Sequence, residues 1–374
     1  MKRNYLLKTL FFLSLILAIS SCGSDDSGNY EQIPPVVVDS IPEPYSPVTI
    51  DLSTVPYEKL SQYNFFEGAM KDLKPVRKVL PYDLNSSLFT DYAHKKRFVY
   101  MPEVTKATYT ADNKILEFPT GAVLIKNFYY ENVMPNNSTR IIETRLMIRK
   151  ATGWIFADYI WNDEQTEAYY SLSGGFTQVK WKEGSVTKST NYRIPPDYEC
   201  FTCHKKQETA LPIGPKPQNL NKDYAYADGT VNQLTKWEQE GYFDKSNVPA
   251  IINTTTDWTD TTKPLELRVR SYLDINCAHC HSDGAHCDYM SMRFAFSETT
   301  IPYNLGICVQ PAINLGNSLP SIVNKRKAEK SVMHFRMNTV SEAQRMPILG
   351  RTIVHTEAVA LIEMWINEMD APCQ

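Results

Sequence analysis

Fourteen residues, DINCAHCHSDGAHC from Asp274 to Cys287, hold three of the chain's seven histidines and three of its eight cysteines. The spacing Cys277-x-x-Cys280-His281 within them is what covalent attachment of a c-type haem needs. Two thiols form thioethers with the vinyl groups, and the adjacent imidazole binds the iron. A second match, Cys200-Phe-Thr-Cys203-His204, lies upstream after Pro195-Pro196. Two complete motifs predict two covalently bound haems. Zinc on Cys200, Cys203, Cys277 and Cys280 is the competing chemistry, and redox disulfides in each pair are another; neither needs the histidine that follows each pair.

Methionine is the usual second axial ligand. In QRMPILGR, Met346 precedes Pro347, a dipeptide that favours extended backbone and could aim the thioether inward. Met346 is therefore the expected sixth ligand of the second haem, with Met333, His334 and Met337 as competitors. For the first haem, no methionine or histidine occurs between Lys205 and Asn276. That stretch offers only weaker candidates such as Lys205, Lys206, Asn219 or Tyr224. The position is expected to be filled from elsewhere, by His94, His279, His286 or His355, or else left open to small molecules. His94, beside Lys95, Lys96 and Arg97, otherwise reads as a solvated surface histidine. No nucleophile-elbow, phosphate-loop or H-E-x-x-H pattern is present, and no catalytic residue is assigned.

Haem attachment of this kind happens outside the cytoplasm, and the N-terminus reads as an export signal. Lys2, Arg3 and Lys8 precede an apolar run from Leu10 to Ile19, ending in Ser20-Ser21-Cys22, the pattern of a lipoprotein signal with Cys22 as the lipidated residue. Residues 1–22 are thus the signal, and residues 23–47, polar and then proline-rich, a flexible tether. The segment after Cys22 is similar to the acidic export signal of bacterial surface lipoproteins, so an outer-membrane lipoprotein facing the periplasm or the cell surface is expected. Membrane association would come from the lipid. A net charge of −3 argues against a nucleic-acid partner. In the oxidising compartment the three remaining cysteines include an expected Cys287–Cys308 disulfide, with Cys373 unassigned.

The elements that must position these groups fall into an α+β, multidomain plan. Residues 48–195 read as strands rich in Tyr, Phe, Trp, Val and Ile. FPTGAVLIKNFYY (118–130), TRLMIR and WIFADYIW are strands, with a hairpin at Lys150–Gly153. Both faces of Trp154–Trp161 are apolar, which predicts a strand buried between two layers of an N-terminal antiparallel β-sandwich. Residues 196–262 form a first haem segment and residues 263–374 a cytochrome c-like domain, both mostly α-helical. A helix after Pro264 carries Leu265, Val269, Tyr272 and Leu273 on one stripe, and a last helix carries Ala358, Leu361, Ile362, Trp365, Ile366 and Met369.

With these residues in place, the chain resembles a family of bacterial di-haem c-type cytochrome lipoproteins. The resemblance covers nearly the whole mature chain through SSLFTDYAHKKRFVYMP, FPTGAVLIKNF, ETRLMIRKATGWIFADYIWN, CFTCHKKQETALPIGPKPQNLN, LRVRSYLDINCAHCHS and RMPILGR. Members are commonly encoded beside a parallel β-helix repeat protein, which implies a possible exported partner. The expected function is electron transfer by a tethered di-haem carrier. Alternatives are a peroxidase-like oxidoreductase with an open first haem, or a β-sandwich binding module with a redox appendage.

Overall fold

The computed structural model describes residues 46–315 and 318–373. The segments expected to be export signal and tether, with Cys22, lie outside them but for the last two tether residues. No helix among the described residues is long and apolar enough to cross a membrane.

Nine strands form in the first half: β1 (Val79–Tyr82), β2 (His94–Tyr100), β3 (Ala107–Thr108), β4 (Val123–Val133), β5 (Ser138–Lys150), β6 (Gly153–Trp161), β7 (Ala168–Tyr170), β8 (Gly175–Glu183) and β9 (Val186–Ile194). All but β3 join one antiparallel sheet in the order β1-β2-β4-β5-β6-β7, with the β8–β9 hairpin pairing onto the end of β4. The turn between β5 and β6 lies where the sequence places it, with Lys150 opposite Gly153, a glycine at φ 133°. These strands are rich in β-branched and aromatic residues, and strand geometry sends successive side chains to opposite faces.

Both faces are buried, as the apolar β6 implied, but the covering layers are not a second sheet. The β-sandwich expectation is corrected here to a single large sheet with unlike covers. On one face Phe98, Val123, Ile125 and Leu146 pack against Leu60, Tyr63 and Phe65 from the irregular N-terminal stretch. There the Tyr63 and Tyr159 hydroxyls share a hydrogen bond of 2.9 Å. On the other face Val99, Leu124 and Met147 pack against Leu220, Leu234 and Trp237, which come from the segment after the first Cys-x-x-Cys-His motif. Trp237 is fully buried, with edge-on rings of Tyr82 at 5.6 Å and Phe118 at 6.4 Å. Such pairs add about 0.5–1.5 kcal/mol each beyond the area they bury. The apolar groups of that segment have no core of their own. The sheet supplies it.

The expectation of mostly α-helical haem domains is also overturned. Six α-helices form among the described residues: α1 (Asp197–Cys203), α2 (Pro217–Leu220), α3 (Gln233–Gln239), α4 (Leu265–Asn276), α5 (Val332–Met337) and α6 (Thr356–Asn367). Only α4 and α6 reach twelve residues. Prolines 212, 215 and 217 remove helix donors and fix φ in the first segment, so helix gives way to short hairpins such as Asp223–Tyr226 with Gly229–Asn232. Between Ser282 and Lys327, Pro302, Pro311 and Pro320 with Gly284 and Gly306 likewise leave turns in place of helix. The two long helices do form where their stripes predicted. Val269, Tyr272 and Leu273 of α4 and Ala358, Leu361, Ile362, Trp365 and Ile366 of α6 share one core. Pro264 caps α4 from outside its first turn, and Met369 lies beyond the end of α6.

Candidate functional site

Each Cys-x-x-Cys-His motif closes a helix. α1 starts after Pro196 with Asp197 and Glu199 in its first turn, where carboxylates complement the helix dipole. Arg193 of β9 holds Glu199 through two hydrogen bonds of 2.6 and 2.7 Å, fixing α1 to the sheet edge. Cys200 and Cys203 lie on the last turn, and His204 caps it by donating its backbone N–H to the Cys200 carbonyl at 3.0 Å. α4 ends before its motif, with Cys277 as the cap donating its N–H to the Leu273 carbonyl, and in the turn beyond it the His281 N–H donates to the Cys277 carbonyl at 2.9 Å.

Two clefts open onto these motifs. The first, of about 1180 Å³, is lined by Cys200, Cys203 and His204 and floored by β4, β5 and β6. The second, of about 1040 Å³, is lined by Cys277, His281 and Met346. They are of similar size. Phe89, Asn276 and Pro347 line both, as a shared wall.

The histidines suit metal ligation. His204 Nδ1 lies 3.0 Å from the Leu211 carbonyl, which fixes the proton there and leaves Nε2 for a ligand. Burial pushes the His204 imidazole down to about 3 and His281 down to about 4, so both are neutral with a free lone pair. His281 Nδ1 is buried and finds no hydrogen-bond partner among the described residues.

Met346 lines the second cleft in a loop held by Arg351. The buried guanidinium donates to four carbonyls, those of Met346 (3.1 Å), Ile353 (3.1 Å), Arg336 (3.0 Å) and Thr339 (2.9 Å). Met333 and Met337 line the same cleft, yet both are buried in the core beneath α6, whereas Met346 is half-exposed to the cleft. His334 instead faces Glu363 at 3.7 Å.

The alternatives for the first cleft separate clearly. His94 is exposed on β2 beside Tyr129, and His286 is exposed. His355 lines the second cleft, stacked on Phe89 at 4.0 Å. Lys205, Lys206, Asn219 and Tyr224 do not line the first cleft, whereas His279 does. Its ring is half-buried, and its ligating nitrogen lies within 4.8 Å of the Cys203 and Cys280 sulfurs. The two motifs therefore touch. The Cys280 thiol and His279 hold the Cys203 thiol well below its usual range. Met147 of β5 also lines this cleft and was missed. Alternation along TRLMIR, which puts Met147 on the face of Arg145, was the signal for it.

The Cys287–Cys308 pairing is corrected. Cys308 bonds Cys373, with Cα atoms 5.4 Å apart, because the chain after α6 returns to the turn at Cys308, whose N–H donates to the Val323 carbonyl at 2.9 Å. Cys287 is a free, buried thiol in the wall of the second cleft.

Asp91 was not singled out, yet it joins the two halves. Its buried carboxylate accepts from the Thr352 N–H (2.6 Å), the Thr352 hydroxyl (2.8 Å) and the Ile353 N–H (3.1 Å), just beyond the Met346 loop. Asn276 accepts the Phe89 N–H at 2.7 Å, securing the shared wall. The segment SSLFTDYAH is thus a strap across both clefts.

No family model, no curated protein and no solved structure matches this chain.

Proposed function

We propose that this chain is an exported, lipid-anchored carrier of two covalently bound c-type haems that passes single electrons to or from an extracytoplasmic partner. One observation carries the reading: each Cys-x-x-Cys-His motif opens onto its own cleft, and the two clefts share a wall. The residues fit the group. His204 is oriented through Nδ1 toward a backbone carbonyl, and Met346 stands on the lining of the cleft that His281 serves. When bound, haem supplies a one-electron iron couple, tuned by axial ligation and burial.

The chain's own part is to hold, orient and exclude water. Cys200, Cys203, Cys277 and Cys280 are the attachment thiols, His204 and His281 the proximal imidazoles, and Met346 the thioether that would raise the second couple. Cys203 and Cys280 in contact, with Phe89, Asn276 and Pro347 between the clefts, bring the two attachment sites close enough for direct exchange. The resemblance adds a possible exported β-helix repeat protein as the partner.

A haemochrome assay on the purified full chain should give about two haems per chain, retained through acidified organic extraction. Haem that extracts overturns the reading. Stoichiometric, fast carbon monoxide uptake by the reduced protein turns it toward a haem-dependent oxidoreductase.

One observation favours a second reading. Cys203, Cys280 and His279 present three ligand atoms within 4.8 Å of one another, a set suited to zinc. That site would use one cysteine from each motif and leave His204, His281 and Met346 without a role. Stoichiometric zinc in haem-free protein purified from its exported location would establish it.

A further inference from the structure

The floor of the first cleft carries a row of charged side chains, flanked on the same sheet face by Lys95 and Glu143 on one side and by an apolar row on the other. Cross-strand register sets Arg97, Lys126, Arg145 and Asp158 in one row across β2, β4, β5 and β6. The next row on that face is Val99, Leu124, Met147 and Phe156. Lys126, Arg145 and Asp158 line the cleft together with His204.

The charges in this row do not balance among themselves. Arg97 is neutralised by Asp83 at 2.7 Å. Arg145 donates to both oxygens of buried Glu143, at 2.9 and 2.6 Å, and Glu143 also accepts from the Tyr192 hydroxyl at 2.5 Å. Asp158 is 8% exposed, and neither carboxylate oxygen has a hydrogen-bond partner among the described residues. Its nearest cation, Arg145, is 3.7 Å away. Lys126 makes no hydrogen bond and no ion pair among the described residues; its Nζ lies over the Phe128 ring at 4.9 Å, and burial, with Arg97, Lys95 and Arg145 nearby, holds it well below the ordinary lysine value, a shift that a bound anion would reverse. A cation in an apolar wall loses hydration that only an anion or several acceptors can replace. The free donors of the Arg145 fork stand beside it in the same row.

We propose that Lys126, with Arg145 beside it, is a carboxylate-binding site that takes a propionate of the haem attached at Cys200 and Cys203. The site rests on the two-haem reading above. A haem attached there brings two carboxylates into the cleft, and the row offers one cation without an anion of its own. Asp158, uncharged when protonated, can donate to the same carboxylate. The second cleft differs in its cations: Arg351 there donates to four backbone carbonyls, and Arg336, on the same lining, donates to the Gln344 carbonyl at 3.1 Å.

The test uses the haem-loaded full chain and its Lys126→Met and Lys126→Arg variants, followed by haemochrome assay, absorption spectrum and spectroelectrochemical titration across the neutral pH range. Lys126→Met should keep both haems, lower the first haem's potential through loss of a nearby positive charge, and give that potential a pH slope. The slope arises because a propionate without its cation takes up a proton on reduction. Lys126→Arg should restore both properties. An unchanged potential and slope in Lys126→Met overturns the proposal. A switch of the first haem to a high-spin spectrum also overturns it and makes Lys126 an iron ligand. Should the Met variant not mature, Lys126→Gln takes its place with the same outcomes; Lys95 on the same face, pushed down to about 7 by burial and Arg97, is present in every variant, so the slope is read as the difference between variants. Absence of haem on the first motif shows in the haemochrome assay and removes the two-haem reading along with the site.

Discussion

The two clefts serve similar motifs with different materials. The second is walled by a helical core and by methionines 290, 292, 333, 337 and 346, with its guanidinium groups turned to backbone carbonyls. The first is floored by a sheet whose register delivers Lys126, Arg145 and Asp158. A soft apolar wall with a thioether favours the reduced, less charged state of an iron couple, whereas a polar floor sets potential through charge and protons. Two couples of unlike character side by side would let an electron enter at one and leave at the other.

The largest way to break the comparison from the second side is its disulfide. Cys308→Ser or Cys373→Ser opens a loop across 65 residues, which on chain entropy costs about 4 kcal/mol. Thermal or denaturant unfolding should show that loss, and the second haem's spectrum should be disturbed before the first. Equal disturbance of both clefts would mean that they do not differ in what holds them.

Asp91→Ala comes next. It leaves the half-buried Thr352 and Ile353 N–H groups without their acceptor, at a cost of about 2 kcal/mol. The strap would loosen from the Met346 loop. The expected readout is weakening of the methionine-to-iron absorption at the red end of the oxidised spectrum, with both haems still attached. Met346→Ala should abolish that band and lower the second potential while leaving the first unchanged. If only Met333 or Met337 changes remove the band, Met346 is not the ligand.

What was legible in the sequence was local. The β5–β6 hairpin and the stripes of α4 and α6 depend on neighbours within a few residues, and each has its counterpart in the structure. What was not legible depends on which distant segment covers which face. An apolar strand on both sides reads as the middle of a sandwich, but nothing local says that residues 46–77 and the stretch around Leu220–Trp237 are the covers. The Cys308 pairing failed for the same reason, since it is set by the return of the chain after α6. A search for the first cleft's ligands downstream of His204 could not find Lys126 or Met147, which arrive from strands that precede the motif. Asp91 reads as an ordinary turn residue until the loop at Thr352 is folded against it.

The smallest effect sharpens the contrast through pH. Burial, and Glu143 beside it, hold the Asp158 carboxyl well above its ordinary value of 3.8, so the folded chain keeps a proton there that the unfolded chain releases. The group's contribution to stability is then complete below about pH 4 and is lost as pH rises toward the folded-state value. The limiting slope for one such proton is about 1.4 kcal/mol per pH unit. Asp158→Asn removes the ionisation while keeping shape, so its unfolding midpoint should fall less than the parent's as pH rises above that point, and the two should converge in acid. The second cleft has no buried carboxylate on its lining, and Met346→Ala should leave the pH profile of stability unchanged. Parallel profiles for the parent and Asp158→Asn would show that the floor's protons do not distinguish the clefts. The comparison would then rest on the thioether alone.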